Sequence, residues 1–302
     1  MISVIITTYN RGNKTLLRAV DSVLRQRTSY PYEILVVDDN GINTEAQITT
    51  NYVLKEYISK QLISYFPLPS NSGACLARNF GITQSKGDFI FFLDDDDEFL
   101  DIKLQTQVQW LLDNPNFAGC LASFIRKGLN GNEILANTNF PSVGDFVSFS
   151  IRGNFFTPML CIRKKSLIEI GGFYNIDRYQ DRYFMLHALK KNQKFYCLKE
   201  PLHIMYEHEG ERISNLSISK SIDSLNKIYR FVKESKVLFS KEEWVAFKVN
   251  NLAMLATLYY LSSKLTHRLK GSVVFFRFFL KEPNIKNALN CIKSILNLFR
   301  TR

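Results

Sequence analysis

The stretch GDFIFFLDDDDEF, residues 87–99, carries the reading of the fold. Five apolar residues, 89–93, run without a polar break, as in a strand covered on both faces. Four aspartates and a glutamate follow at once, at positions 94–98. Neighbouring carboxylates repel and packing gains nothing from them, so a positive group is expected among them.

The theme recurs upstream. SVIITT (3–8) is a β-branched run that ends in the polar cluster TTYNR, and the apolar run 34–37 of YEILVVDD ends in Asp38 and Asp39. Leu16, Leu17, Val20, Val23 and Leu24 recur at helical spacing across residues 15–25. A second helix is expected over 44–60, a third strand at LISYF (62–66), a helix at ACLARNFGITQS (74–85) and a fourth strand at DFIFFL. Strands alternating with helices predict an α/β fold with a mostly parallel, doubly wound sheet. Such sheets bind ligands beyond the carboxyl ends of their strands, where all three polar clusters fall. Further on, a helix is expected over 101–113, a strand at FAGCLASFI (117–125) and loops over 128–153, rich in Asn, Gly and Ser. PMLCIRKKSLIEIGGF (158–173) reads as a strand and a short helix ended by Gly171 and Gly172, and DRYFMLHALKK (181–191) as a helix. After Ser214 long helical patterns replace the alternation. The boundary is placed near Lys220, giving a catalytic region 1–219 and a helical region 220–302.

With 46% hydrophobic and 22% charged residues, the 302-residue chain has the composition of an ordinary globular protein. Its net charge of +11 suggests nucleic acid until it is located. From Lys220 onward there are sixteen basic and five acidic residues, and everything before balances. A neutral body with an acidic cluster repels phosphate unless a cation intervenes, so no nucleic-acid partner is expected. No run of eighteen apolar residues suggests a spanning helix. MISVIITTYN has neither a basic leader nor a cleavage site, which argues against a signal peptide. Cys75, Cys120, Cys161, Cys197 and Cys291 are odd in number and far apart, which predicts reduced thiols and a cytoplasmic location.

One carboxylate at a strand end caps the next helix, but four exceed that need. An EF-hand loop is excluded because Phe99 stands where its glycine belongs. A divalent cation, Mg²⁺ or Mn²⁺, held by one or two carboxylates and completed by substrate phosphates, fits better.

VIITTYNR, VVDDN, NSGACLARN, FLDDDDEF, GGFYNIDRYQDR and HEGERIS stand in the order found in family 2 glycosyltransferases, and the resemblance spans roughly residues 1–214. It implies the GT-A fold and an inverting hexosyltransferase using a nucleotide-diphosphate sugar, most commonly a UDP-sugar. Carried over, Thr7, Tyr9 and Arg11 line the nucleotide pocket, with Tyr9 stacking on the base. Asp39 hydrogen-bonds the base. Asn71, Gly73, Arg78 and Asn79 close the floor, with Arg78 toward the phosphates. Asp94 or Asp95 faces the ribose and Asp96 ligates the metal, the register among the four aspartates being open by one. Asp181, after Gln180, is the implied catalytic base. His208 is a metal or diphosphate ligand by the same resemblance, and Arg212 a diphosphate clamp. The implied acceptor is a glycan or lipid-linked saccharide of the cell envelope, as in capsule synthesis.

Two readings stand for the basic C-terminal helices. One is peripheral contact with an anionic membrane surface at the inner face of the plasma membrane. The other is a helical cap on the catalytic region or a homo-oligomer interface. Two rival functions are weighed as well. A nucleotidyltransferase calls for a glycine-rich basic loop where this chain has TTYNRGNK, and a nucleic-acid binder is opposed by the charge partition.

Overall fold

The computed structural model describes residues 1–12, 14–207, 218–261 and 265–281, with Asn290 and Lys293 beyond them. Two compact units divide the chain: residues 1–175 with 180–210, and residues 176–179 with 211–302.

The first unit is built on a mixed sheet of nine strands among the described residues. β1 (Ile2–Thr8), β2 (Tyr32–Asp38), β3 (Ser64–Pro67) and β4 (Phe89–Asp94) form its parallel half, in the order β3-β2-β1-β4. β1, β2 and β4 are the β-branched and aromatic runs and are buried along most of their length, as central parallel strands require, while β3 at the end of the order is only partly buried. The register leaves their carboxyl ends nearly flush, with Thr8 beside Asp38, Thr7 beside Asp94 and Asp38 beside Pro67. Three acidic or polar strand ends therefore share one edge.

The helices α1 (Lys14–Leu24), α2 (Glu45–Ser59) and α3 (Ala74–Gln84) follow the parallel strands. α1 buries Leu16, Ala19, Val20 and Val23, the apolar stripe its spacing predicts. Thr44 caps α2 by accepting from the Gln47 N–H at 3.2 Å. α3 lies close on the sheet because Gly81 has no side chain: a Cβ there would come 2.5 Å from Ile5. That approach sets the depth at which α3 carries Arg78.

Beyond β4 the sheet turns mixed. β5 (Glu98–Phe99), α4 (Lys103–Asp113), β6 (Gly119–Lys127) and β7 (Glu133–Ile134) come next in the chain. They precede α5 (Phe146–Arg152), β8 (Leu160–Arg163), α6 (Lys164–Ile170), α7 (Gln180–Lys190) and β9 (Phe195–Tyr206). β8 runs antiparallel to both β4 and β6, while β6 and β9 pair in parallel through two register shifts. The α/β class stands, but the sheet is mixed: its all-parallel run of strands is β3-β2-β1-β4, and β6 with β9 is the one parallel pair outside it among the described strands. Residues 128–153, expected as loops, contain β7 and α5. Asp145 caps α5 by accepting from the Ser148 N–H at 2.8 Å, a start signal hidden in a polar segment.

Lys103 is the anomaly of the core. It is fully buried with Leu104, Gln107 and Val108 on the inner face of α4. Its ammonium donates to Gln107 Oε1 at 2.6 Å and faces the rings of Phe99 and Phe91 at 4.9 and 5.8 Å. Gln107 in turn donates to the carbonyls of Cys120 and Met159, both at 3.0 Å.

In the second unit, α8 (Ile218–Glu234), α9 (Lys241–Leu261) and α10 (Leu265–Lys281) pack with residues 176–179. Ile222, Leu225, Leu255 and Leu258 make the core, with Tyr179 against them. Arg178 donates to the hydroxyls of Ser224 and Ser221 at 3.2 and 2.9 Å.

Burial pushes the Lys103 ammonium down to about 7, from 10.5. The unfolded chain therefore binds the extra proton between these values, and stability rises with pH across that window. Lys103→Met removes the penalty and should raise stability near neutral pH by roughly 2 kcal/mol. Denaturant unfolding at pH 7 and pH 9.5 checks this: the gain should shrink at the higher pH, and a loss at both overturns the account.

Candidate active site

The four aspartates of the opening stretch have four different surroundings. Asp94 ends β4 with its side chain 38% exposed, and accepts from Arg78 Nη2 at 3.0 Å. Asp95, only 6% exposed, accepts from Arg11 Nη1 at 3.2 Å. Asp96 also accepts from Arg11, and its backbone carbonyl from Arg18. Asp97 is buried and accepts from the Tyr206 N–H at 3.1 Å, tying the acidic turn to the end of β9. The positive groups expected among the carboxylates are thus, in part, guanidinium groups from α3, α1 and the loop after β1. The Arg18 guanidinium also stacks over the Tyr206 ring at 3.7 Å.

Arg78 is the best buried of these cations, at 5% exposure. Its Nη1 donates to Gln180 Oε1 at 2.9 Å, so one side chain joins the end of β4 to the start of α7. Burial works against its charge, but Asp94 and Asp181 outweigh it and hold the guanidinium protonated. Burial also raises the carboxyls of Asp94 and Asp181 above the usual range, with Arg78 pulling both back. Asp95 is raised to about 7, again by burial.

Asp181 lies in the first turn of α7 and accepts from the Thr157 hydroxyl. Thr157 is fully buried on a short 3₁₀ turn ahead of β8. Pattern reading does not reach it, because FFTPML has no period and a threonine hydroxyl has no charge.

The second acidic site is a loop anchor. Asp39 Oδ1 accepts from the Ser72 N–H at 2.7 Å, and Oδ2 from the Gly73 N–H at 2.8 Å and Asn71 Nδ2 at 3.2 Å. Three sequence candidates, Asp39, Asn71 and Gly73, are thus brought together. Its neighbour Asp38 is sealed, accepting from Tyr65 Oη at 2.6 Å and from Asn40 Nδ2 at 2.6 Å. Asn79 pins the Gly-Gly-Phe segment by donating to the Phe173 carbonyl and accepting its N–H, both at 2.8 Å. Gly172 sits at φ +69° with Asn79 Oδ1 2.5 Å from the place of a Cβ, so both its backbone and its space require glycine. Tyr9 is 48% exposed, an aromatic ring presented at the strand edge. Thr7 is half-buried beside Asp94. His208 and Arg212 lie outside the described residues.

No group of three or more His, Cys, Asp or Glu side chains among the described residues is set to hold a metal. Asp94 and Asp96 do offer hard oxygen donors, and the Asp96 charge adds to the rise at Asp94. A divalent cation relieves that repulsion, so the donor chemistry suits Mg²⁺ or Mn²⁺ as a two-carboxylate site completed by ligand oxygens.

The sequence model described as Glycosyl transferase family 2 matches residues 3–179. An uncharacterized glycosyltransferase of Haemophilus influenzae is 28% identical over 250 residues, covering 80% of this chain and 89% of its own length. Poly(ribitol-phosphate) beta-N-acetylglucosaminyltransferase TarP of Staphylococcus aureus is 26% identical over 254 residues, 80% of this chain and 75% of its own. Among solved structures, S. aureus TarS 1–349 in complex with UDP-GlcNAc aligns with a TM-score of 0.62 at 19% identity. That match covers 98% of this chain and 80% of the TarS chain, and is a likeness of fold.

Arg78→Met should cost about 2 kcal/mol of stability at pH 7.5, the exposed part of Asp94 keeping the loss below that of a sealed pair. Without the guanidinium, Asp94 and Asp181 take up protons more readily, so the loss should shrink as pH falls. Urea unfolding of both proteins at pH 7.5 and 5.5 measures it. An equal loss at both values would show that packing, not charge, is what Arg78 supplies.

Proposed function

This chain belongs to glycosyl transferase family 2, and on that premise we propose that it transfers a sugar from a UDP-sugar to a hydroxyl of a glycan or lipid-linked saccharide, inverting the anomeric centre in one displacement. The observation that supports this most directly is the bridge made by Arg78. It joins the acidic end of β4, suited to a diphosphate with its cation, to the α7 turn that carries Asp181. The donor assignment draws on TarS, solved with UDP-GlcNAc, and the polymer acceptor on the activity named for TarP.

The nucleotide lies across the carboxyl ends of β1, β2 and β4. Tyr9 offers its ring to the base. Asp39 and its clasped loop at Asn71 and Gly73 close one wall, with Thr7 and Asn79 fixing the frame beneath. Arg11 gives up part of its hold on Asp95 and Asp96 as the donor enters. A divalent cation, Mg²⁺ or Mn²⁺, held by Asp96 with Asp94 beside it would neutralise charge on the departing diphosphate. His208 and Arg212 are carried as further diphosphate contacts.

A sugar hydroxyl is a poor nucleophile at neutral pH, and Asp181 takes its proton as the new bond to the anomeric carbon forms. Burial makes this carboxylate a stronger base than one in water, while Arg78 and the Thr157 hydroxyl favour its charged form and offset part of that rise. Attack opposite the leaving diphosphate completes the exchange without a covalent intermediate. A nucleotidyltransferase, the rival reading, has no support in the family match.

Calorimetric titration of UDP and GDP, with and without Mn²⁺, tests the donor half. UDP should bind with Mn²⁺, and Asp96→Ala should weaken it at least about tenfold, since one ligand of a two-carboxylate site is lost. If no nucleoside diphosphate binds under any condition, the reading falls.

The base is tested separately. Asp181→Asn should lower turnover by about 10³ with UDP affinity kept. Thr157→Val removes a hydrogen bond to the ionised form, so the acid limb of the rate profile should move to higher pH, and Thr157→Ser should restore it. Full activity in Asp181→Asn removes Asp181 from the mechanism.

A further inference from the structure

Helix α10 packs one side along α9, and Gly271 identifies which. A Cβ at Gly271 would lie 2.9 Å from the Tyr259 Cβ, and the His267 ring stands 5.7 Å from the Tyr259 ring. At about 100° per residue, Leu269, Val273, Phe276 and Leu280 fall in one narrow arc roughly opposite Gly271. They are 48%, 52%, 53% and 64% exposed. Single exposed apolar residues are ordinary, but a row along three turns of one helix marks an interaction surface. Lys270 and Arg277, both exposed, flank that row on the same side, and α10 contains no acidic residue.

We propose that this face of α10 lies on an anionic lipid surface. The apolar row sits at the boundary of headgroups and acyl chains, and the basic flank meets the lipid phosphates. No helix among the described residues is long and apolar enough to cross a membrane, so α10 lies on the surface.

Charge selects this occupant over a second copy of the chain. Pairing two α10 rows would bring Lys270 and Arg277 of each copy beside the seam, where partner charges decide association. The sixteen basic and five acidic residues from Lys220 onward oppose such pairing further. The same surplus favours an anionic surface, each nearby basic residue adding about 1 kcal/mol of attraction. Residues 282–302 carry four basic residues and one acidic, so they are no better matched to the basic flank.

Sedimentation of the full chain with vesicles tests the proposal, using phosphatidylcholine alone or mixed equally with phosphatidylglycerol. The protein should pellet with the mixed vesicles, stay free of the neutral ones, and be released by salt. Val273→Asp with Phe276→Asp should weaken binding at least about tenfold, through the apolar area withdrawn from the surface. Lys270→Gln with Arg277→Gln should weaken it roughly 30-fold. Circular dichroism and UDP titration of each double variant establish that fold and site persist. Failure of the wild type to bind mixed vesicles overturns the proposal, as does equal binding to neutral ones or undiminished binding by the aspartate variant. A dimer in light scattering that the aspartate variant dissociates assigns the face to a second copy and overturns it too. The vesicles contain neither donor nor acceptor, so the result is independent of the sugar-transfer reading.

Discussion

A guanidinium in a nearly closed pocket, facing two carboxylates, is the constraint around which the first unit is arranged. Arg78 is held at depth by the close seating of α3, made possible at Gly81. At that depth it reaches Asp94 on β4 and Gln180 on α7. Lose the cation, and two carboxylates raised by burial face each other across the same pocket. The interaction couples two distant parts of the chain, residues 94 and 180, and gives the acidic strand end a fixed relation to Asp181. The acidic run is tolerated because each of its four aspartates has a specific partner: Arg78, Arg11 twice, and the Tyr206 amide.

Half of this was legible in the residues. Buried parallel strands have a plain signature in unbroken β-branched runs, and the polar residues that end them must lie along one edge. The TTYNR cluster, the Asp38–Asp39 pair and the acidic run at 94–97 were placed at that edge for that reason. The individual roles of Thr7, Asp39, Arg78, Asp94 and Asp96 came only from the resemblance to family 2 glycosyltransferases. The mixed half was harder. β8 has only four residues, and β9 mixes exposed Lys199, Glu200 and Pro201 into a strand with register shifts, so neither shows a clean period. α5 hides in a segment whose Asn, Gly and Ser content signals loops.

Other features have no one-dimensional sign. The Asp39 carboxylate gathers backbone N–H groups from residues 72 and 73, and backbone donors are the same at every position of a sequence. Thr157 meets Asp181 only through the fold. Lys103 was missed for the opposite reason: lysine is read as a surface residue, and here it lies at the centre of α4's inner face. The family match, ending at residue 179, covers the parallel half and the Gly-Gly-Phe segment. The basic surplus lies beyond it.

Lys103 gives the assembly of this protein a chemical by-product. In the unfolded chain its amine is protonated at pH 8, whereas the folded interior keeps it largely neutral, its affinity for the proton having dropped to about 7. Each molecule that folds at that pH therefore expels close to one proton from this residue into the solvent. The heat of folding then includes the heat of protonating whatever buffer receives it. Folding enthalpies taken in phosphate and in Tris will differ by the released proton's share of the difference between the two buffers' ionisation heats, although the protein's structure is the same in both.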